Sequence, residues 1–302
     1  MKNLYIHIGP YKTGSTAIQK IIYAQRKQLL SQGWLYPETG LITENTRWGE
    51  RHLFLFHKNT TDQLWADLQA EIDASDASNI ILSSERVCSM MNYLLFRKDF
   101  LASFKPHIVV FVRDEVGLMR SWYLQIIKSR ILKNKNLLKG PKLRSFLRFF
   151  WITKDSFCYS AILRDWIDVY GAESVLLIPY LKDKGYDSRK ELYQALNISW
   201  TPPVETATRS NSSITPFCAF VCLEAAKRGY RKAEIASLMN SITEYELKQP
   251  MLANWNISKS DEAEIRRYYD ANNQEFMSAN QSFRDAYRLA LQSPADLPLM
   301  RG

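Results

Sequence analysis

Residues 4 to 22 change period halfway along. Leu4, Ile6 and Ile8 alternate with Tyr5 and His7, as on a strand. From Gly14 onward Ile18, Ile21 and Ile22, with Leu29 further on, recur as on one face of a helix. Between the two stands Gly9-Pro10-Tyr11-Lys12-Thr13-Gly14-Ser15-Thr16. A strand that passes through a short glycine-bounded turn straight into a helix cannot close a hairpin. The helix has to lie on a face of the sheet, and the next strand in that sheet comes in parallel.

The rest of the first two-thirds repeats this alternation. Asn79 to Glu85 and His107 to Arg113 are short apolar runs, read as strands buried on both faces and therefore parallel. Ser174 to Pro179 is a further strand. Helices are predicted from Thr60 or Thr61 as cap, with Leu64, Trp65, Leu68 and Ile72 buried, then over about Glu115–Leu132, Tyr159–Tyr170 and Ser188–Leu196. Residues 34 to 59 read as irregular. Beyond about residue 200 the pattern is helical: Thr215–Arg228, Lys232–Ile242 and Asp261–Met277. The fold class that follows is α/β, a parallel β-sheet flanked by helices with a helical C-terminal region. No linker is legible, so one domain is expected over 1–302: an α/β core over 1–200 and helices over 201–302 packed on it.

Composition narrows the function classes. Hydrophobic residues are 46% and charged residues 24%, ordinary values for a chain with a buried core. No apolar run reaches the ~20 residues that span a bilayer, and none resembles a signal peptide, so a cytoplasmic protein is expected. Four irregularly spaced cysteines argue against a disulfide framework; Cys218 and Cys222, at i and i+4 among apolar residues, read as core. No metal-ligand cluster is legible. The net charge of +9 favours anionic ligands. Its densest stretch is Lys128, Arg130, Lys133, Lys135, Lys139, Lys142, Arg144 and Arg148, without an acidic residue between them. Phe146, Phe149, Phe150 and Trp151 cluster at its end at helical spacing, which suggests packing, and no nucleic-acid motif accompanies the run.

The turn after the first strand carries the chemistry. A helix N-terminus offers unpaired N–H groups and the positive end of a dipole. Lys12 adds a charge, and Ser15 and Thr16 add hydroxyls. The glycine spacing and final Thr match G-x-x-x-x-G-K-[ST], but the lysine stands two residues before the second glycine instead of one after it.

With its displaced lysine, Gly9 to Gln19, GPYKTGSTAIQ, resembles the phosphosulfate-binding loop of sulfotransferases that use 3′-phosphoadenosine 5′-phosphosulfate (PAPS), most closely the bacterial type reading KTG[ST]T. A second resemblance is an Arg ending a strand with a Ser eight residues on: Arg113 and Ser121, the latter in Ser-x-Tyr-x-Gln. Weaker likeness continues through Ser83-Ser84-Glu85, Arg164-Asp165-Trp166, Pro179-Tyr180 and Asn211-Ser212-Ser213, so it covers about residues 3 to 215. The resemblance implies the P-loop-NTPase-like sulfotransferase fold and PAPS as co-substrate, with no metal required. It implies that Gly9, Lys12, Thr13, Gly14, Ser15 and Thr16 hold the 5′-phosphosulfate, with Lys12 reaching the bridging oxygen. Arg113 and Ser121 would hold the 3′-phosphate. The acceptor it suggests is a hydroxyl on a glycan, a glycolipid or another polar or anionic compound.

Two residues compete for the base that deprotonates the acceptor. Glu85 ends the strand expected beside that of Arg113; His52 lies in the irregular segment. His7 and His107 flank strands and read as structural. Two other classes stay open. One is a P-loop kinase or NTPase with Glu85 or Asp114 holding magnesium. The other is a non-catalytic anion or nucleic-acid binder driven by the basic run.

Overall fold

The computed structural model describes residues 1–42, 51–52, 54–56, 60–89, 98–133, 135–137, 145–181, 185–202, 214–248 and 258–292. They form five strands and twelve helices. In chain order these are β1 (Lys2–Gly9), α1 (Ser15–Ala24), α2 (Arg26–Ser31), β2 (Trp34–Leu35), α3 (Asp62–Asp73), β3 (Asn79–Ser83), α4 (Lys98–Ala102), β4 (Phe104–Val112), α5 (Glu115–Leu132) and α6 (Phe146–Thr153). There follow α7 (Tyr159–Tyr170), β5 (Val175–Pro179), α8 (Ser188–Ala195), α9 (Pro216–Lys227), α10 (Lys232–Lys248), α11 (Lys259–Ala279) and α12 (Gln281–Gln292). Among the described residues no helix is long and apolar enough to cross a membrane.

The strands make one parallel sheet in the order β2-β3-β1-β4-β5. The expected α/β fold with a helix-flanked parallel sheet is therefore observed. β2 is the difference. Two residues at the sheet edge, Trp34 and Leu35, pair with Asn79 and Ile80 inside a segment whose composition reads as irregular. A strand that short carries no period to detect.

The order explains the two apolar layers. From β1 the chain moves past β3 to β2, and α1 and α2 cover one face. Each later crossover moves the other way, and right-handed connections then place α3, α4 and α7 on the opposite face. Side chains alternate accordingly. Leu4, Ile6, Ile8, Ile80, Leu82, Ile108, Val110 and Val112 pack against Leu68, Leu101, Tyr159, Leu163 and Trp166. Ile81, Val109, Phe111 and Ile178 pack with Ile18, Ile22, Leu29, Leu192 and Tyr193 on the other side. Threonines cap two helix starts, one of them Thr61, a cap the sequence offers. Thr61 Oγ1 accepts from the Leu64 N–H, and Thr215 Oγ1 accepts from Cys218 N–H ahead of a helix with Pro216 in its first turn.

The described residues group into two compact units. Those of Met1–Asp114, Tyr159–Ala207 and Glu275–Pro294 form the first, which holds the whole sheet; those of Glu115–Cys158 and Thr208–Gln274 form the second. The sequence expects one domain with its change of character near residue 200. By contact, 115–158 group with the helical unit and α12 with the sheet unit, where Phe283, Tyr287 and Ala290 join the core. The second unit buries Ile127 and Ile131 of α5 with Phe146, Phe149 and Phe150 of α6, Cys218 and Cys222 of α9, Met239 of α10 and Tyr269 of α11. The two cysteines are core residues, as their spacing among apolar neighbours suggests. Trp151, expected to pack with the phenylalanines, lies with its ring 5.0 Å from that of Phe150 and is 48% exposed.

Leu4, on the central strand and fully buried, tests the sheet core without touching the loop. Leu4→Ala should lower unfolding stability by about 2–5 kcal/mol, read as a lower urea midpoint with an unchanged slope.

Candidate anion-binding site

The loop that follows β1 lies at the carboxyl edge of the sheet, where strand order reverses. β1 leads away to β2 across one face, and β4 leads to β5 with α7 on the other. Such a switch point is where open α/β sheets bind ligands. Two residues flank the loop from the neighbouring strands: Glu85, just past β3, and Arg113, just past β4.

Gly9 shows how close the first of these is. Its φ is +97°, and a β-carbon there would stand 3.1 Å from Glu85 Cβ and 3.3 Å from Glu85 Cα. The positive φ calls for glycine, and the tight space beside Glu85 adds to that demand. Gly14, φ +87°, is pressed from the other side: a β-carbon would fall 2.2 Å from Ser188 Oγ, at the start of α8. Between them Lys12 adopts φ +71°, a left-handed conformation that costs a non-glycine residue roughly 1–2 kcal/mol. Thr13 is fully buried, and its hydroxyl donates to the Pro10 carbonyl at 2.7 Å. That proton is committed inside the loop, so the Thr13 side chain shapes the turn. Ser15 is buried at the first position of α1, its hydroxyl 3.5 Å from the same carbonyl, and Thr16 is half-buried. Ala17 and Ile18 N–H both turn back to the Gly14 carbonyl. The N–H groups before them are the ones a helix start leaves for an anion.

Arg113 closes the β4 side. It is 8% exposed, and its backbone N–H donates to the Tyr159 hydroxyl at 2.8 Å. Its Nη1 donates to the Lys12 carbonyl, and its guanidinium carbon lies 5.1 Å from the centre of the Tyr180 ring. Its Nε is buried without a hydrogen-bond partner. Burial pulls the Arg113 pKa down, opposed by smaller attractions to Tyr180, Asp114 and Tyr159; a guanidinium keeps its proton regardless. A buried cationic donor left unpaired is costly, and an anion that reached it would satisfy it. The residues present therefore fit an anionic ligand.

Glu85 closes the β3 side. Oε1 accepts from Arg51 Nη1, and Oε2 accepts from Gln19 Nε2 at 3.0 Å. Gln19 also donates to Ser83 Oγ at 3.2 Å, and Ser83 Oγ is 2.8 Å from His7 Nδ1. A buried polar chain thus links His7 of β1, through Ser83 and Gln19, to Glu85. Sequence reasoning gave no role to Gln19, Arg51, Tyr180 or Ser188, although Gln19 and Tyr180 stand in segments that carry the resemblance. Arg51 and Ser188 left no trace and are brought in by tertiary packing.

His52, the second candidate for the base, lies inside the first unit. The ring is fully buried; Nδ1 accepts from the Ser83 N–H at 3.1 Å, and Nε2 donates to the Pro37 carbonyl at 2.9 Å. Burial pushes its pKa down to about 4, only partly opposed by those two backbone bonds. With both nitrogens committed it has no lone pair for a substrate proton, and it serves to join the irregular segment to β3. His7, also buried, is likewise pushed down to about 4, while His107 is stacked on Tyr5.

Ser121 belongs to the second unit, on α5, half-buried. Lys128, Arg130, Lys133, Lys135 and Arg148 of the basic run are described, whereas Lys139, Lys142, Arg144 and Asn211-Ser212-Ser213 lie outside the described residues. Among the described residues no three His, Cys, Asp or Glu side chains gather as metal ligands.

No protein-family model matches the chain, and no curated protein matches it. Among solved structures it is similar to a sulfotransferase from Alicyclobacillus acidocaldarius, at 14% identity over 81% of this chain and 96% of that one, with a TM-score of 0.41. A likeness of that depth carries no weight for the chemistry, which has to stand on the residues themselves.

The two buried histidines set a pH test. Their folded-state pKa, about 4, lies below the ordinary 6.5. Each therefore contributes stability that is complete above pH ~6.5 and is lost as pH falls toward 4, on the order of 3 kcal/mol per residue. Urea unfolding at pH 7.5 and 5 should show the loss, and His52→Gln should shallow the slope between them.

Proposed function

We propose that this chain transfers a sulfonate group from PAPS to a hydroxyl of a polar acceptor. The observation that carries the reading is the loop itself. Its lysine precedes the second glycine, its N–H groups open onto the start of α1, and a buried arginine with an unpaired Nε closes it from the next strand. The displaced lysine favours a sulfonate donor over a nucleoside triphosphate, whose loop lysine follows the glycine.

In the proposed reaction the acceptor oxygen forms a bond to sulfur. The bond from sulfur to the 5′-phosphate oxygen breaks, and the electron pair leaves with 3′-phosphoadenosine 5′-phosphate (PAP). Charge grows on that phosphate, and Lys12 with the helix N–H groups offsets it. Glu85 is the proposed base. Two of its hydrogen-bonding positions are taken by Arg51 and Gln19, and a carboxylate has about four. The sulfonate bears a single negative charge, so the reading calls for no metal. The support comes from residues of the first unit; Ser121, which the resemblance adds at the 3′-phosphate, has to be tested by its own alanine variant. A glycan or other anionic acceptor would suit the basic run from Lys128 to Arg148.

Calorimetric titration should give tighter binding of PAP than of AMP, and Arg113→Ala should remove about 1.5–3 kcal/mol of PAP affinity. Equal affinities for the two nucleotides sink the 3′-phosphate assignment. Turnover with PAPS should survive EDTA, and Glu85→Gln should lower it about 100- to 10,000-fold with PAP affinity intact. Magnesium-dependent ATP hydrolysis in place of sulfonate transfer makes the chain a P-loop NTPase instead. With an anionic acceptor, the Michaelis constant should rise with salt.

A further inference from the structure

We infer that Arg113 is a positioning residue for the phosphate loop as well as an anion contact, holding Lys12 by its main chain while Tyr180 holds the guanidinium, a role that rests on the reading of the loop as the phosphosulfate site. The resemblance assigns Arg113 to the 3′-phosphate alone. The geometry adds a second task that no 3′-phosphate is needed for.

Lys12 stands at φ +71° in a turn whose flanking glycines are pressed by Glu85 and Ser188. A lysine does not hold that conformation unaided. Its carbonyl is gripped by Arg113 Nη1, a side chain 101 positions away in sequence. The grip is rigid because both ends of it are anchored. The Arg113 N–H is tied to the buried Tyr159 hydroxyl at 2.8 Å, and that hydroxyl lies 3.2 Å from the Phe111 carbonyl and 3.3 Å from the Arg113 carbonyl. Tyr180 is tied to β4 through its own N–H, which donates to the Val112 carbonyl at 2.7 Å. Its ring lies 5.1 Å from the guanidinium carbon, within cation–π range. Tyr186 packs edge-on to Tyr180, with ring centres 5.1 Å apart.

A guanidinium has five N–H donors in a fixed fork. One goes to the Lys12 carbonyl, and the buried Nε has no partner in the protein. The same planar group can therefore brace the loop and still meet an anion. Without the brace the loop relaxes out of the left-handed turn, and the Lys12 side chain loses its aim for every ligand of the loop, with or without a 3′-phosphate.

Two variants separate the roles. Arg113→Met keeps a buried stem of similar length and removes every donor; Tyr180→Leu leaves Arg113 in place and removes the ring beneath it. Hydrogen exchange of the protein without nucleotide reads the brace directly. Exchange at Tyr11 to Thr16 should quicken at least tenfold in Arg113→Met and less in Tyr180→Leu, with β1 and β4 amides unchanged as the control for folding. Titration with adenosine 5′-phosphosulfate, which lacks the 3′-phosphate, should show about tenfold weaker binding to Arg113→Met. Arg113→Lys, with a charge but no fork, should fall between and stands in if the methionine variant does not fold. Unchanged loop exchange in the folded variants, with adenosine 5′-phosphosulfate affinity kept and PAP affinity lost, overturns the brace and leaves Arg113 to the 3′-phosphate. If the unmodified protein binds neither nucleotide, the sulfonate-transfer reading fails, and the exchange rates still decide the brace.

Discussion

β1 is hydrogen-bonded along both edges, to β3 and to β4, so two ladders set its direction and height together. Its last residue is delivered to one point, between the end of β3 and the end of β4. The chain must leave that point close over Glu85, where a β-carbon at Gly9 would be tight and the positive φ favours glycine. The turn that results, the left-handed Lys12 and the start of α1 all follow from where the central strand stops. A one-residue change in the β1–β3 register would exchange the faces of every side chain on the strand. It would also carry Glu85 away from the loop.

Charge is distributed about that turn with opposite sign on its two sides. The β4 side presents Arg113; the β3 side presents Glu85, itself bound to Arg51 and Gln19. Buried ion pairs contribute little net stability, because desolvation offsets the attraction. Their effect here is geometric. Arg51 and Gln19 grip one oxygen each, so the carboxylate cannot swing. The His7–Ser83–Gln19 chain behind it fixes Gln19 in turn. The site is held by strand ends and helix starts, and the polar network removes the remaining side-chain freedom.

Elements with a long period were legible. β1, β3, β4 and β5 are apolar runs with clear ends, and α3 and α9 begin at threonines whose hydroxyls cap them. The loop was legible because glycines, lysine and hydroxyls stand together within eight residues of one another. β2 was not, since two residues define no alternation. The role of His52 was not, because its two partners, Ser83 and Pro37, come from different segments. Thr13, which the resemblance places at the phosphosulfate, donates its hydroxyl to the Pro10 carbonyl, a side-chain direction that composition does not carry.

Local order along the chain determined most of the strands and helices, that the sheet is parallel, and that a glycine-bounded turn with lysine and hydroxyls follows the first strand. Those properties depend on spacings of two to four residues, which a sequence displays directly. Tertiary structure alone decided the strand order, the assignment of residues 115–158 and of α12 to different units, and the grip of Arg113 on Lys12. Each of these depends on residues far apart in the chain meeting through sheet register and crossover direction. No local pattern records that meeting, because the side chains involved contribute nothing to the period of the segments they come from.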